Sequence, residues 1–361
     1  MGVSISINEV QARFDENNLK YKILNLTDDF SIVVTQFGGR ILGPFRGEKN
    51  RSLTWLNDNF ISKSHFRKFL YSGNWNIGGE RIWIAPEYQY YVKDISNPAN
   101  TWFCPKEIDP GNYSLFQNKR NECLLSQEIE INAYNFAQGR KKLCINRIIS
   151  PVLDPLRGIS PYKSLMDGVA FAGYEQTISL SEEEQDAIMS ETWNLIQLPS
   201  GGKIYIPVSP KAEFSWYFTP SDKGIHKTHS NCMELELTKG NKYKIGYKAV
   251  HITGRIGYLN TSTEGTPYLL IRNFFNNPSS SYLETPLELG ELGGGHSVHI
   301  YNDDGNLGSF GELECSGQTI GGNTGRGSTT DQFVLWIYMG EFEKLHEIGK
   351  YLLGVDIRQL K

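Results

Sequence analysis

The sequence predicts an all-β protein, a large antiparallel two-sheet sandwich with few helices. Three observations carry this. First, 18 Phe, 19 Tyr and 7 Trp make up 12% of the 361 residues and accompany 36 Gly; aromatic residues favour pleated, half-buried strands, and glycines serve the tight turns between them. Second, a long succession of short segments alternates or runs in β-branched and aromatic residues. Between them lie turn formers such as Pro199-Ser200-Gly201-Gly202, Lys239-Gly240-Asn241 and Asp303-Asp304-Gly305-Asn306. Third, no repeat of 20–50 residues is present, which argues against the propeller and the β-helix.

Taken in order, Asn8–Glu16 reads as a short helix. Strands are expected at Ser31–Gln36, Arg81–Ala85, Leu125–Ala133, Arg147–Ile149, Ala170–Leu180, Ile188–Leu198 and Lys203–Ile206. They continue at Phe214–Phe218, Met233–Leu237, Lys242–Tyr247, Tyr268–Phe274, Ser297–Tyr301, Glu312–Cys315 and Phe333–Met339. Finally, Glu341–Leu353 places Phe342, Leu345, Ile348, Tyr351 and Leu352 at helical spacing, an amphipathic helix expected to pack over the sheet. The expected layout is an N-terminal extension over 1–27, one sandwich domain over 28–340 and a C-terminal helix over 341–361.

Charge and composition narrow the function classes. Lys plus Arg number 36 and Asp plus Glu 40, for a net charge of −4. That balance excludes a sequence-independent nucleic-acid binder. No stretch approaches the roughly 18–20 apolar residues of a membrane helix, so no membrane partner is expected. The N-terminus lacks the charged and apolar regions of a signal peptide. Gly2 and Ser6 match a myristoylation pattern, but no polybasic stretch follows. The N-x-[ST] sites at Asn25, Asn50, Asn112 and Asn260 are expected to be unmodified. Cys104, Cys123, Cys144, Cys232 and Cys315 are widely spread, with no zinc-ligand spacing. Free thiols, a cytoplasmic location, no metal and no cofactor follow as expectations, with the chain a monomer or dimer.

Four segments interrupt the strand pattern with chemistry-bearing groups. Gln36-Phe37-Gly38-Gly39-Arg40-Ile41 reads either as a hairpin turn or bulge or as part of a site that includes Arg40. Trp75–Tyr88 is the densest: a strand there puts Arg81, Trp83 and Ala85 on one face, and Glu87 follows Pro86. Arg81 offers a fork of donors and Trp83 a platform for the C–H face of a sugar. The plainer reading is a cation–π pair. Ser190–Leu198 has no cleanly apolar face, as expected of a strand lining a wet pocket or of an exposed one. Glu312 and Glu314 share a face at i, i+2; proximity would raise one pKa and suit a general base, whereas a solvated edge would look the same. His296 and His299, three apart on a strand, are expected to face opposite sides unless a bulge intervenes. His251 lies at a strand end. The glycine-rich Gly321–Gly327 precedes a strand and not a helix, so it is no phosphate cradle; it is expected as a loop near the carboxylate pair.

The order of these motifs resembles the galactose mutarotase-like superfamily, in a divergent branch: GGRI at Gly38–Ile41, GGERIWIAPE at Gly78–Glu87, TWNLIQL at Thr192–Leu198, ELECSG at Glu312–Gly317 and a final WIY strand. The resemblance implies an antiparallel β-supersandwich with a sugar as small-molecule partner. It also implies Glu314 as base at the anomeric hydroxyl, and a carbohydrate-active function of the mutarotase or aldose epimerase type. Where that family carries a histidine acid, this chain has Thr192 and Trp193. His251, His296, His299 or Arg81 would have to stand in, and the alternative is a sugar-binding protein without catalysis. The expected catalytic residues are thus Glu314, Glu312 and His296, and the expected substrate contacts Arg81, Trp83, Glu87, Trp193, His251 and Arg40.

Overall fold

A computed structural model describes residues 4–46, 51–287 and 294–360; Gly2, Asn50 and Gly293 lie outside the described residues. Two ten-stranded antiparallel sheets make up the fold. The first runs β1 (Tyr21–Asn25), β2 (Phe30–Thr35), β3 (Ile41–Arg46), β5 (Glu80–Ala85), β10 (Ser190–Pro199), β19 (Phe310–Ile320), β18 (His296–Asn302), β15 (Tyr243–Lys248) and β12 (Phe214–Phe218), with β4 (Arg51–Ser52) hung on β3. The second runs β13 (His226–Thr228), β14 (Cys232–Glu236), β11 (Lys203–Pro207), β16 (Arg255–Thr261), β17 (Pro267–Phe274), β20 (Ser328–Met339), β9 (Ala170–Glu182), β8 (Gly139–Pro151), β7 (Cys123–Ala133) and β6 (Ser114–Gln117).

The main core lies between the sheets. Ile82, Ile84, Ile196, Leu313 and Ile300 come from the first, and Ile145, Ile178, Leu270 and Leu335 from the second. A buried polar cluster crosses the same interface. Glu80 accepts from Arg272 Nη2 at 2.6 Å, from Asn194 Nδ2 at 2.7 Å, and from Tyr174 and Gln176. Because Glu80 and its even-numbered neighbours point inward, Arg81 and Trp83 point to the outer face of the first sheet.

Helices cover parts of the two outer faces. α1 (Ile7–Glu16) and α2 (Lys63–Tyr71) close one end of the first sheet, where Val10, Phe14, Phe66 and Phe69 pack with Val33 and Leu42. A capping box starts α1: Glu9 N donates to Ser6 Oγ at 3.3 Å and Ser6 N to Glu9 Oε2 at 2.7 Å. The short helices α3 (Glu87–Tyr90) and α4 (Pro98–Thr101) follow β5. α5 (Tyr162–Leu165) and α6 (Phe342–Leu353) lie on the second sheet.

The C-terminal helix forms where its periodicity predicts and buries three of the five expected residues, with Leu353 in place of the other two. Leu345, Ile348, Leu352 and Leu353 pack on Leu269, Ile271 and Tyr338, whereas Phe342 and Tyr351 are 42% and 48% exposed. Strand β8 also exceeds expectation. Its charged start, Arg140-Lys141-Lys142, hides a strand residue: Lys141 is fully buried and ion-paired to Glu182 and Asp186. The loop Gly321–Gly327 does not sit by the carboxylate pair. It follows the far end of β19, about 20 Å along the strand from Glu314, and Gly321 packs against Ile188 and Lys141.

Candidate functional site

The uncovered middle of the first sheet's outer face forms a cavity of about 480 Å³. Strand register builds its floor. Arg81 pairs with Leu195, Leu195 with Glu314, and Glu314 with His299. In the next row Gln197 pairs with Glu312 and Glu312 with Tyr301. The period of two therefore places Arg81, Trp83, Trp193, Glu312 and Glu314 together at the cavity, with Lys244 of β15 beside them. The walls come from the segment around α3 and α4 and from the Asp303–Phe310 turn.

Close backbone approach explains the glycine pair before β5. Gly78 and Gly79 adopt φ of +96° and +77°, and a Cβ would sit 2.5 Å from Trp55 O and 2.4 Å from Ile41 O respectively. No other residue fits there without moving the backbone that aims Glu80 inward and Arg81 outward.

Two ionic arrangements occupy the floor. Arg81 Nη2 lies 2.8 Å from Glu312 Oε1, which also accepts from Gln197 Nε2 at 2.8 Å. Arg81 Nε and Nη1 have no hydrogen-bond partner among the described residues. Burial alone would lower the Arg81 pKa, but Glu312 and Asp109 reverse this and hold it raised. The second arrangement centres on Lys244. Its Nζ lies 3.3 Å from Glu87, 3.5 Å from Glu314 and 3.7 Å from Glu284, and over the rings of Trp193 and Tyr217 at 4.5 and 5.2 Å. Burial opposes its charge, yet the three carboxylates outweigh burial and raise its pKa.

Glu314 is 1% exposed. Its Oε2 accepts the Trp193 indole N–H at 3.1 Å. Burial, reinforced by Glu312, Glu87 and Glu284, pushes its pKa to about 8 against the pull of Lys244. Glu284, buried likewise and facing Lys244 and Glu87, is pushed to about 7. A carboxyl lifted toward neutral pH is matched to proton uptake and release there. Among the described residues, no three His, Cys, Asp or Glu side chains are arranged to hold a metal ion.

Not every expected site residue is at the cavity. Arg40 is fully buried beside it, held by Asp109 at 2.6 Å and by the carbonyls of Gly78 and Trp75, so it braces the glycine turn. Burial draws its pKa down to about 10. His251 ends a short turn outside the cavity, its Nδ1 bonded to Ser209 Oγ at 3.1 Å. His296 does not line the cavity either. A bulge between Tyr247 and Lys248 breaks the β15–β18 register and brings the His296 and His299 rings to 6.0 Å, both on Tyr217 Oη. Period two fails there because of that bulge. His299 Nδ1 stands 4.0 Å from Glu314 Oε2. Burial lowers the pKa of both histidines, that of His296 to about 4, so they are neutral near pH 7.

Trp83 and Trp193 line the cavity, but Trp83 has both faces in use and Trp193 has Lys244 over its ring. Arg81 lies 4.2 Å from the Trp83 ring centroid and Tyr91 is stacked on that ring at 4.8 Å. Two groups so close cannot share a face, so both faces are covered. The residues sequence reasoning missed are Lys244, Glu284, Tyr217 and Trp102. None has a local signal: Lys244 alternates with Tyr243, Ile245 and Tyr247 like any outward strand lysine.

Comparison with solved structures returns distant likenesses. The chain is 10% identical to a galactose mutarotase-like protein from Lactobacillus casei, with a TM-score of 0.44 over 89% of this chain and 100% of that one. For a putative aldose 1-epimerase from Klebsiella pneumoniae the values are 8%, 0.47, 94% and 84%. For the GalM/aldose epimerase homologue from C. elegans they are 8%, 0.44, 89% and 99%. At these values no chemistry transfers to this chain. No curated protein matches its sequence. Residues 13–361 match the model of the family described as Family of unknown function (DUF6786), and the chain belongs to that family.

Proposed function

We propose that the chain is a carbohydrate-active protein whose cavity binds a sugar, and that Glu314 acts on it as general base at the anomeric hydroxyl, as in a mutarotase or aldose epimerase. The observation that carries this is Glu314 itself, a buried carboxyl on the floor of an indole-lined, sugar-sized cavity, pushed to about 8. In this reading the ionised form of Glu314, stabilised by Lys244 and gaining population as pH rises toward 8, takes the anomeric proton. Arg81, fixed by Glu312 and lying against Trp75 and Trp83, contributes positive charge to the cavity floor.

A specific observation favours a second reading, sugar binding without turnover. No histidine lines the cavity, and His299 keeps its Nε2 on Tyr217 Oη at 3.0 Å. The two separate by NMR exchange spectroscopy on a panel of free aldoses. An epimerase accelerates anomer exchange, and Glu314→Gln slows it by about a hundredfold or more. Affinity without acceleration selects the binding protein. If no sugar raises the melting temperature, both readings fall.

A further inference from the structure

The tryptophans of the cavity are unequal. Four line it, Trp75, Trp83, Trp193 and Trp102. The first three already carry groups of the chain on their rings. Arg81 and Arg40 lie 5.4 and 5.8 Å from the Trp75 centroid. Trp83 is covered by Arg81 and Tyr91. Trp193 has Lys244 Nζ over it at 4.5 Å.

Trp102 differs on each count. It follows α4 and is 41% exposed at the cavity rim. Its indole N–H is donated to Glu87 Oε1 at 2.9 Å, while Glu87 Oε2 faces Lys244 Nζ at 3.3 Å. Among the described residues no ring or cation lies on its indole. An indole held by its polar edge, partly exposed at the cavity and free of ring or cation contacts among the described residues, suits the apolar C–H face of a pyranose. Holding the ring in place beforehand also lowers the ordering cost of binding.

We propose that Trp102 is the platform on which the ligand ring stacks, and that Glu87 is the positioning residue that sets its orientation. The proposal rests on the sugar-cavity reading above and moves stacking away from Trp83 and Trp193. It also ties the platform to the base through one chain of contacts, Trp102 to Glu87 to Lys244 to Glu314.

The test is 19F NMR of the full chain labelled with 5-fluorotryptophan, the Trp102 signal assigned from Trp102→Phe, during titration with D-galactose and D-glucose. The Trp102 signal moves on binding. Trp102→Ala weakens affinity by about tenfold or more and Trp102→Phe by about threefold or less. Glu87→Ala shifts the Trp102 signal of the free protein, and Glu87→Gln, which keeps an acceptor for the indole N–H, restores it. A sugar that binds with the Trp102 signal unmoved, or with Trp102→Ala within twofold of wild type, overturns the proposal and leaves the sugar-cavity reading standing. No binding of either sugar to wild type overturns both.

Discussion

Glu314→Gln tests the electrostatics of the site without a substrate. The carboxyl is pushed from 4.5 to about 8, chiefly by burial. Below pH 4.5 both folded and unfolded chains hold the proton. Between 4.5 and 8 only the folded chain does, so each pH unit removes up to about 1.4 kcal/mol of stability. Over the whole window the limit is about 5 kcal/mol. Glutamine removes this titration and keeps an acceptor for the Trp193 indole. It also removes one anion from Lys244, which retains Glu87 and Glu284; that loss offsets part of the gain. The expected result is a variant within about 1 kcal/mol of wild type at pH 5 and more stable by about 2–4 kcal/mol at pH 8.5. Urea unfolding at several pH values measures it, with tryptophan fluorescence as the probe. Parallel stability curves for the two proteins, or a wild type that gains on the variant as pH rises, would refute the reasoning. A variant that is more stable at alkaline pH yet loses turnover marks a residue kept for function.

Three further outcomes follow from the same geometry. Lys244→Met strips the shared cation from the buried Glu284 and Glu314 and from the half-buried Glu87; stability at pH 8 falls by about 3–5 kcal/mol, and by less at pH 5, where Glu284 and Glu314 take up protons. Equal losses at both pH values would remove the charge argument. Gly79→Ala drives a Cβ to 2.4 Å from Ile41 O at a φ of +77°; chemical denaturation is expected to show a loss of at least about 2 kcal/mol. A hexose 6-phosphate should bind at least about tenfold more weakly than the free hexose by calorimetry, because Glu87, Asp303, Asp304 and Glu312 line the cavity and, of its three cations, Arg81 and Lys244 are already ion-paired, which leaves Lys242, over Phe218. Tighter binding of the phosphate would show that those cations remain available to a ligand.

The sheet-rich fold was legible because alternation and turn chemistry are local. Elements without either were not. β1, β3 and β16 lie in short stretches of mixed pattern, and α2 has Phe66, Phe69 and Leu70 at helical spacing over only nine residues, so packing settles their state. Within the site the same division holds. The sequence by itself determined that Arg81 and Trp83 share a face, and Glu312 and Glu314 another, since side chains on a strand repeat every two residues. Only the tertiary structure decided that these faces meet, because β5, β10 and β19 are far apart in the chain and join through register. It turned Lys244 from an apparent surface lysine into a buried counter-ion by laying Trp193, Tyr217 and Glu284 around it. It drew His296 toward His299 through a bulge that no period foretells. It covered Trp83 with Arg81 and Tyr91 and left Trp102, in a segment with no periodicity, open at the rim. Spacing fixes which way a side chain points along one strand, but what stands opposite it is set by strand pairing and packing with segments up to more than a hundred positions away.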